Sequence, residues 1–123
     1  FVSVLFSSSI SLNGSYDKAL KQAHKNKKDL MILIINSKEN KSNEVIKKYF
    51  MNQDYIKYVN DNFVSVLINP EYKSSYPIEL FYTTKFPSLF FASYKDESFL
   101  THPIYEFTSV KDFKKVLYSI DYK

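Results

Sequence analysis

The polar run NSKENKSNE, residues 36–44, follows directly on the apolar stretch MILII and gathers Lys38, Glu39 and Ser42 at one place. A serine becomes a nucleophile only when a base takes its proton, and both histidines, His24 and His102, lie in other segments. Helix capping and favourable negative charge at a helix N-terminus account for Glu39 and Ser42 without any activity. Asn36, Asn40 and Lys41 read as ordinary loop solvation as readily as binding groups. Cysteine is absent throughout, which excludes a thiolate nucleophile, a disulfide framework and a cysteine-ligated metal. Neither histidine has a carboxylate at ligand spacing, so no metal or other cofactor is expected. His24 fits the polar face of a helix, and His102 a strand end held extended by Pro103.

The elements that must position the polar run can be read on either side of it. SYDKALKQAHKNKKD offers Ser15 as an N-cap, Asp17 in the first turn, and Tyr16, Ala19, Leu20 and Ala23 on one helical stripe. LMILIIN is a continuous apolar run of strand length, suited to a central strand covered on both faces. After the run, Val45, Ile46, Tyr49 and Phe50 fall at helical spacing from a cap at Ser42 or Asn43, with a break at MNQD. Asp54 can cap a short second segment carrying Tyr55, Ile56, Tyr58 and Val59, which closes at NDN before the strand FVSVLIN. Strand, helix and strand in that order make a parallel crossover unit.

Further on, Pro77 suits the first position of a helical turn opening a short helix, and FPSLFFAS reads as a strand led by a proline. YKDES supplies a turn into the extended FLTHPIYEF, so an antiparallel hairpin is expected there. TSVKDFKKVLYSI closes the chain as a helix capped by Thr108 or Ser109, with Val110, Phe113, Val116, Leu117 and Ile120 on its apolar stripe. Tyr49, Tyr55, Tyr58, Tyr76 and Tyr82 suit core edges better than a ligand cage.

Composition narrows the function classes. The net charge of +4 comes from lysines spread over helix faces, the densest being KNKK at residues 25–28, where cations offset a helix end. There is no arginine, and a nucleic-acid surface is not expected. The apolar runs fall well short of the roughly 20 residues a membrane-spanning helix needs. With 123 residues and no linker-like stretch, one domain over 1–123 is expected, residues 1–14 being an N-terminal extension or strand. The opening FVSVLFSSSIS has the apolar-then-small order of a secretory signal's tail as well as that of a strand.

This order of elements, together with ALKQAHKNKKDLMILII, YFMNQDYI, VNDNFVSVLIN and KFPSLFF, resembles the thioredoxin-like branch related to secreted thiol:disulfide interchange proteins over residues 15–120. The resemblance implies an α/β thioredoxin-like fold: a central mixed sheet with a parallel β-α-β half, a C-terminal antiparallel hairpin plus helix, and helices on both faces. It places Lys38 where that branch has the tryptophan of W-C-x-x-C, Glu39 at the first cysteine and Ser42 at the second. Dithiol exchange needs an attacking thiolate and a resolving thiol, so that reaction is closed to this chain. The resemblance also sets Pro87, after Phe86, at the branch's cis-proline, where backbone pairs with an extended substrate. A peptide-binding edge from residues 36–42 and 85–88, using Lys38, Phe86, Pro87 and Ser88, is the expectation that follows, although Pro87 could serve the fold alone. The partner would be a protein or extended peptide. A structural or oligomeric subunit and an enzyme with non-thiol chemistry at the turn stay open as alternatives. Relatives in this branch are commonly periplasmic or secreted, which is the location expected here, with the cytoplasm left open.

Overall fold

The computed structural model describes residues 10–36, 38–71 and 76–120. Their order is β1 (Leu12–Asn13), α1 (Tyr16–Asn26), β2 (Asp29–Ile34), α2 (Asn40–Tyr49), α3 (Ile56–Asn62), β3 (Phe63–Ile68), β4 (Ser88–Ala92) and α4 (Val110–Ser119). Of the N-terminal extension or strand expected over residues 1–14, residues 1–9 lie outside the described residues, and Leu12–Asn13 form β1.

Four strands form one mixed sheet in the order β1-β3-β2-β4. The two apolar runs lie side by side in parallel, Asp29 opposite Phe63 through Ile34 opposite Ile68, and β4 closes antiparallel on β2 with Ile34 opposite Ser88. Because side chains alternate across a strand, β2 feeds two cores. Leu30, Ile32 and Ile34 point to one face, with Val64, Val66, Ile68, Phe90 and Phe81, under Tyr16, Ala19 and Ala23 of α1. Met31, Leu33 and Ile35 point to the other, with Phe63, Leu89 and Phe91, under α2, α3 and α4. This α/β architecture with helices on both faces is thioredoxin-like.

Local chemistry sets most boundaries. Ser15 is extended and its hydroxyl accepts the Lys18 N–H at 3.3 Å, while α1 stops at Lys27, a left-handed residue at φ 54°, with Lys25 offsetting its final carbonyls. Tyr16 packs beneath Phe81, ring centroids 5.6 Å apart, and its hydroxyl donates to Glu97, tethering α1 to the turn after β4. Ser109 caps α4 by accepting the Asp112 N–H at 3.1 Å, and Phe113 and Leu117 are its buried stripe. Burying side chains of that size stabilises the fold by about 1.5–3 kcal/mol each. Phe113 stands at the centre of a ring cluster, 5.3 Å from both Tyr49 and Tyr55.

Four local expectations are corrected. The N-cap of α2 is Glu39, not Ser42 or Asn43, and its side chain makes no cap hydrogen bond. The N-cap of α3 is Tyr55, not Asp54, whose carboxylate instead accepts from Lys114 Nζ at 2.9 Å. At Pro77 the chain makes one turn, the Leu80 and Phe81 N–H groups both donating to the Pro77 carbonyl, and no helix continues from it. The expected hairpin partner of β4, the return segment over residues 99–108, touches it at two antiparallel bridges, Leu89 with Ile104 and Ala92 with Phe99, rather than along a ladder. Pro103 has no N–H to contribute, and a proline inside such a segment interrupts pairing.

Candidate functional site

The C-terminal ends of β2 and β3 and the N-terminal end of α2 meet at one pole of the sheet, and Asn36 organises the turn between them. Its carbonyl accepts the Glu39 N–H and its side-chain oxygen the Lys38 N–H, both at 3.0 Å, while its own N–H donates to Ser42 Oγ at 3.2 Å. Ser42 is fully buried. Among the described residues no imidazole or carboxylate hydrogen-bonds its hydroxyl, so nothing activates it for attack. Non-thiol nucleophilic chemistry at this serine therefore has no support in the geometry. His24 lies on α1 and His102 on the return segment, and among the described residues no group of three or more His, Asp or Glu is placed to hold a metal.

A groove of about 760 Å³ opens beside this turn. One wall is the face of α2 from Glu39 through Lys41, Glu44 and Lys48 to Tyr49, residues spaced to project from the same side. Opposite stand Thr84–Pro87 and the return segment from Tyr105 to Thr108. Phe86 is half-buried, Pro87 is buried, and the peptide bond between them is cis. Among the described residues, neither the Phe86 N–H nor its C=O has a hydrogen-bond partner. Lys85 Nζ sits 6.0 Å from the centre of the Tyr105 ring, and Lys48 Nζ 5.6 Å from that of Tyr49. Lys41, Lys48 and Lys85 are balanced by Glu39, Glu44 and Glu106, so the groove is charged on its walls and neutral in sum.

The residues expected from sequence divide. Glu39, Phe86 and Pro87 line the groove. Lys38 does not, and its ammonium pairs with Glu71 at 3.4 Å. Ser42 is below the turn and Ser88 behind the wall. Strand alternation turns Ser88 to the α1 face with Phe90 and Ala92. There its hydroxyl donates to the Lys85 carbonyl and lies 2.8 Å from Thr83 Oγ1, which also accepts the Lys85 N–H at 3.0 Å. Ser88 thus braces the loop that carries Phe86 and contributes nothing to the groove surface.

Tyr105, Glu106 and Phe107 form a wall that no sequence signal marks, since only the fold brings them beside residues 39–49. Tyr49 also changes character. It is 2 % exposed, lines the groove floor, and among the described residues its hydroxyl has no hydrogen-bond partner. Burial, helped by the charge of Asp112, pushes that hydroxyl above the ordinary tyrosine range and keeps it protonated.

No protein-family model and no curated protein matches the chain. Solved structures similar to it include the following two. A candidate disulphide-isomerase from Bacteroides thetaiotaomicron superposes with a TM-score of 0.74 at 18% identity, over 94% of this chain and 96% of that one. A DsbH oxidoreductase superposes with a TM-score of 0.66 at 15% identity, over 92% of this chain and 86% of that one. At such identities the likeness is one of fold. No described helix is long and apolar enough to cross a membrane. The chain has the thioredoxin-like fold and none of the cysteines on which thiol–disulfide exchange depends.

Proposed function

We propose that this domain is a redox-inactive thioredoxin-like module that binds an extended polypeptide in the groove between α2, the Phe86–Pro87 loop and the return segment. The observation that carries the reading is the unpaired main chain of Phe86 at the groove wall. An extended peptide placed there gains main-chain hydrogen bonds, and the rings of Phe86, Tyr105 and Phe107 supply apolar contact for alternate side chains. Bracing by Thr83 and Ser88 favours binding, because a loop already held in place loses little entropy when a ligand arrives. An exported location belongs to the same proposal and rests on the sequence resemblance.

The test is a heteronuclear NMR titration of the labelled domain with a permanently unfolded, carboxymethylated test protein. Shifts concentrated at residues 41–48, 84–86 and 105–108, and weakened in Phe86→Ala, are expected. Shifts confined to another face would overturn the reading.

A second reading has its own observation. Ile78 and Tyr82 are 51% and 65% exposed, and they flank Phe81, whose ring stacks on the exposed Phe99 at 6.0 Å. Apolar side chains grouped like this suit an assembly surface. Sedimentation that stays monomeric at high concentration would remove this subunit reading.

A further inference from the structure

Behind the groove, on the far side of Phe107 and Thr108, lies a cavity of about 320 Å³ between the return segment and the first turns of α4. Its floor is apolar, made by Ile104, Phe107, the buried Phe113 and Val116. Rings within it are already in contact, Phe107 and Phe113 having centroids 6.1 Å apart. The return segment, which supplies most of the lining, is anchored to the sheet at Ile104 by its bridge to Leu89. The cavity's volume is at the small end of ligand pockets, room for one ring or a short alkyl chain.

The rim is unusual for this chain. Of 123 residues, seventeen are lysine, yet no lysine lines the cavity, and its two carboxylates are Glu106 and Asp112. Asp112 is fixed in place: its Oδ2 accepts the Thr108 hydroxyl at 2.8 Å, and its N–H is held by the Ser109 cap. Hydrogen bonding from the Thr108 and Ser109 hydroxyls holds its carboxyl below the usual carboxylate range, aided by Lys115 and Lys111, neither of which lines the cavity. The N-terminus of α4 contributes an opposing partial charge of about +0.5, less than the two carboxylates together. His102 completes the polar rim.

We infer that this cavity binds a small organic cation, an ammonium group on an apolar body, with the body against Phe107, Phe113 and Val116 and the ammonium at Asp112 and Glu106. The cavity shares a wall with the peptide groove, but its occupant does not depend on what the groove binds. Tyr105, Glu106, Phe107 and Thr108 line both, so occupancy of the cavity would fix one wall of the groove. An anion of the same shape would meet two carboxylates across an apolar floor and be rejected, and a neutral analogue would keep only the apolar contacts.

The experiment is an NMR titration of the whole domain with three probes of equal size: phenethylammonium, 2-phenylethanol and phenylacetate. Phenethylammonium is expected to shift the Val116 methyls and the Thr108 and Asp112 amides, the alcohol to do so more weakly, and phenylacetate not at all. Asp112→Asn keeps the Thr108 hydrogen bond and the Ser109 cap and should weaken the cation by about two- to fivefold, the scale of an exposed charge pair, while leaving the alcohol unchanged. Val116→Phe fills the cavity and should abolish both, with an unchanged spectrum elsewhere showing that the fold is intact. Equal shifts from cation and anion, or cation shifts confined to groove residues such as Lys48 and Phe86, would overturn the inference. So would cation binding that survives Val116→Phe in a folded protein.

Discussion

Tyr49 and Tyr55 lie six residues apart in one core, both buried and both in contact with Phe113, yet removing their hydroxyls should have opposite effects. The Tyr55 hydroxyl donates to the Tyr49 carbonyl at 2.6 Å. That carbonyl belongs to the last turn of α2, where no further helical N–H is available, so Tyr55 supplies the missing donor. Tyr55→Phe leaves a buried acceptor unpaired and should cost about 1–2 kcal/mol. Among the described residues the Tyr49 hydroxyl has no partner, and it was hydrated in the unfolded chain, so folding bears its desolvation without return. Tyr49→Phe keeps the ring, with its contacts to Phe107 at 5.1 Å and Phe113 at 5.3 Å, and should stabilise by about 1 kcal/mol. The two variants should therefore differ by about 2–3 kcal/mol. Urea unfolding followed by far-ultraviolet circular dichroism reads this as midpoints displaced in opposite directions at unchanged slope. Destabilisation of Tyr49→Phe comparable to that of Tyr55→Phe would show that the Tyr49 hydroxyl has a partner, and the argument for an orphaned group would fail.

Other consequences can be checked with similar tools. Ser42→Ala removes the acceptor of the Asn36 N–H and should cost about 1 kcal/mol, with faster amide exchange at Asn36 as the local signature. Glu39→Cys with Ser42→Cys places two thiols one helical turn apart, within disulfide reach; mild oxidation should abolish labelling at both positions, and persistent free thiols would show the turn has lost the geometry for exchange. Burial raises the hydroxyls of Tyr16, Tyr55, Tyr49 and Tyr76 above the usual value. A group raised in the folded state contributes stability that is complete below its unfolded pKa of about 10 and is lost above it. Stability should thus be flat approaching a pH of about 10 and then fall, less steeply in Tyr16→Phe; an unchanged slope in that variant would remove Tyr16 from the account.

The parts of the fold legible in sequence are those where one local signal acts alone. Ser15 and Ser109 cap the helices expected of them, and the runs LMILII and FVSVLI are the two central strands. Where local and tertiary demands compete, the local rule gives way. Ser42 has the composition of a cap but is drawn into the core to receive the Asn36 N–H, and the cap position falls to Glu39. Asp54 likewise gives up capping for Lys114 across the helix interface. FLTHPIYEF has strand composition, but Pro103 limits it to isolated bridges. For the site, Phe86 and Pro87 can be placed from their motif, whereas Tyr105–Phe107 cannot, because only the completed sheet brings them opposite α2. Ser88 follows Pro87 in sequence but not into the groove, since neighbouring strand residues face opposite sides.

The course of α4 has a practical consequence. From its start beside the groove the helix runs about 15 Å over ten residues, carrying Tyr118 to Tyr58 on α3, ring centroids 4.8 Å apart. Ser119, exposed at the last position of α4, therefore lies on the side of the molecule away from the groove. The chain has no thiol of its own, so Ser119→Cys would offer one reactive handle and no competitor. A biotin or a solid surface coupled there would leave the proposed binding face turned to solution, and the domain could be displayed as a bait in a single orientation.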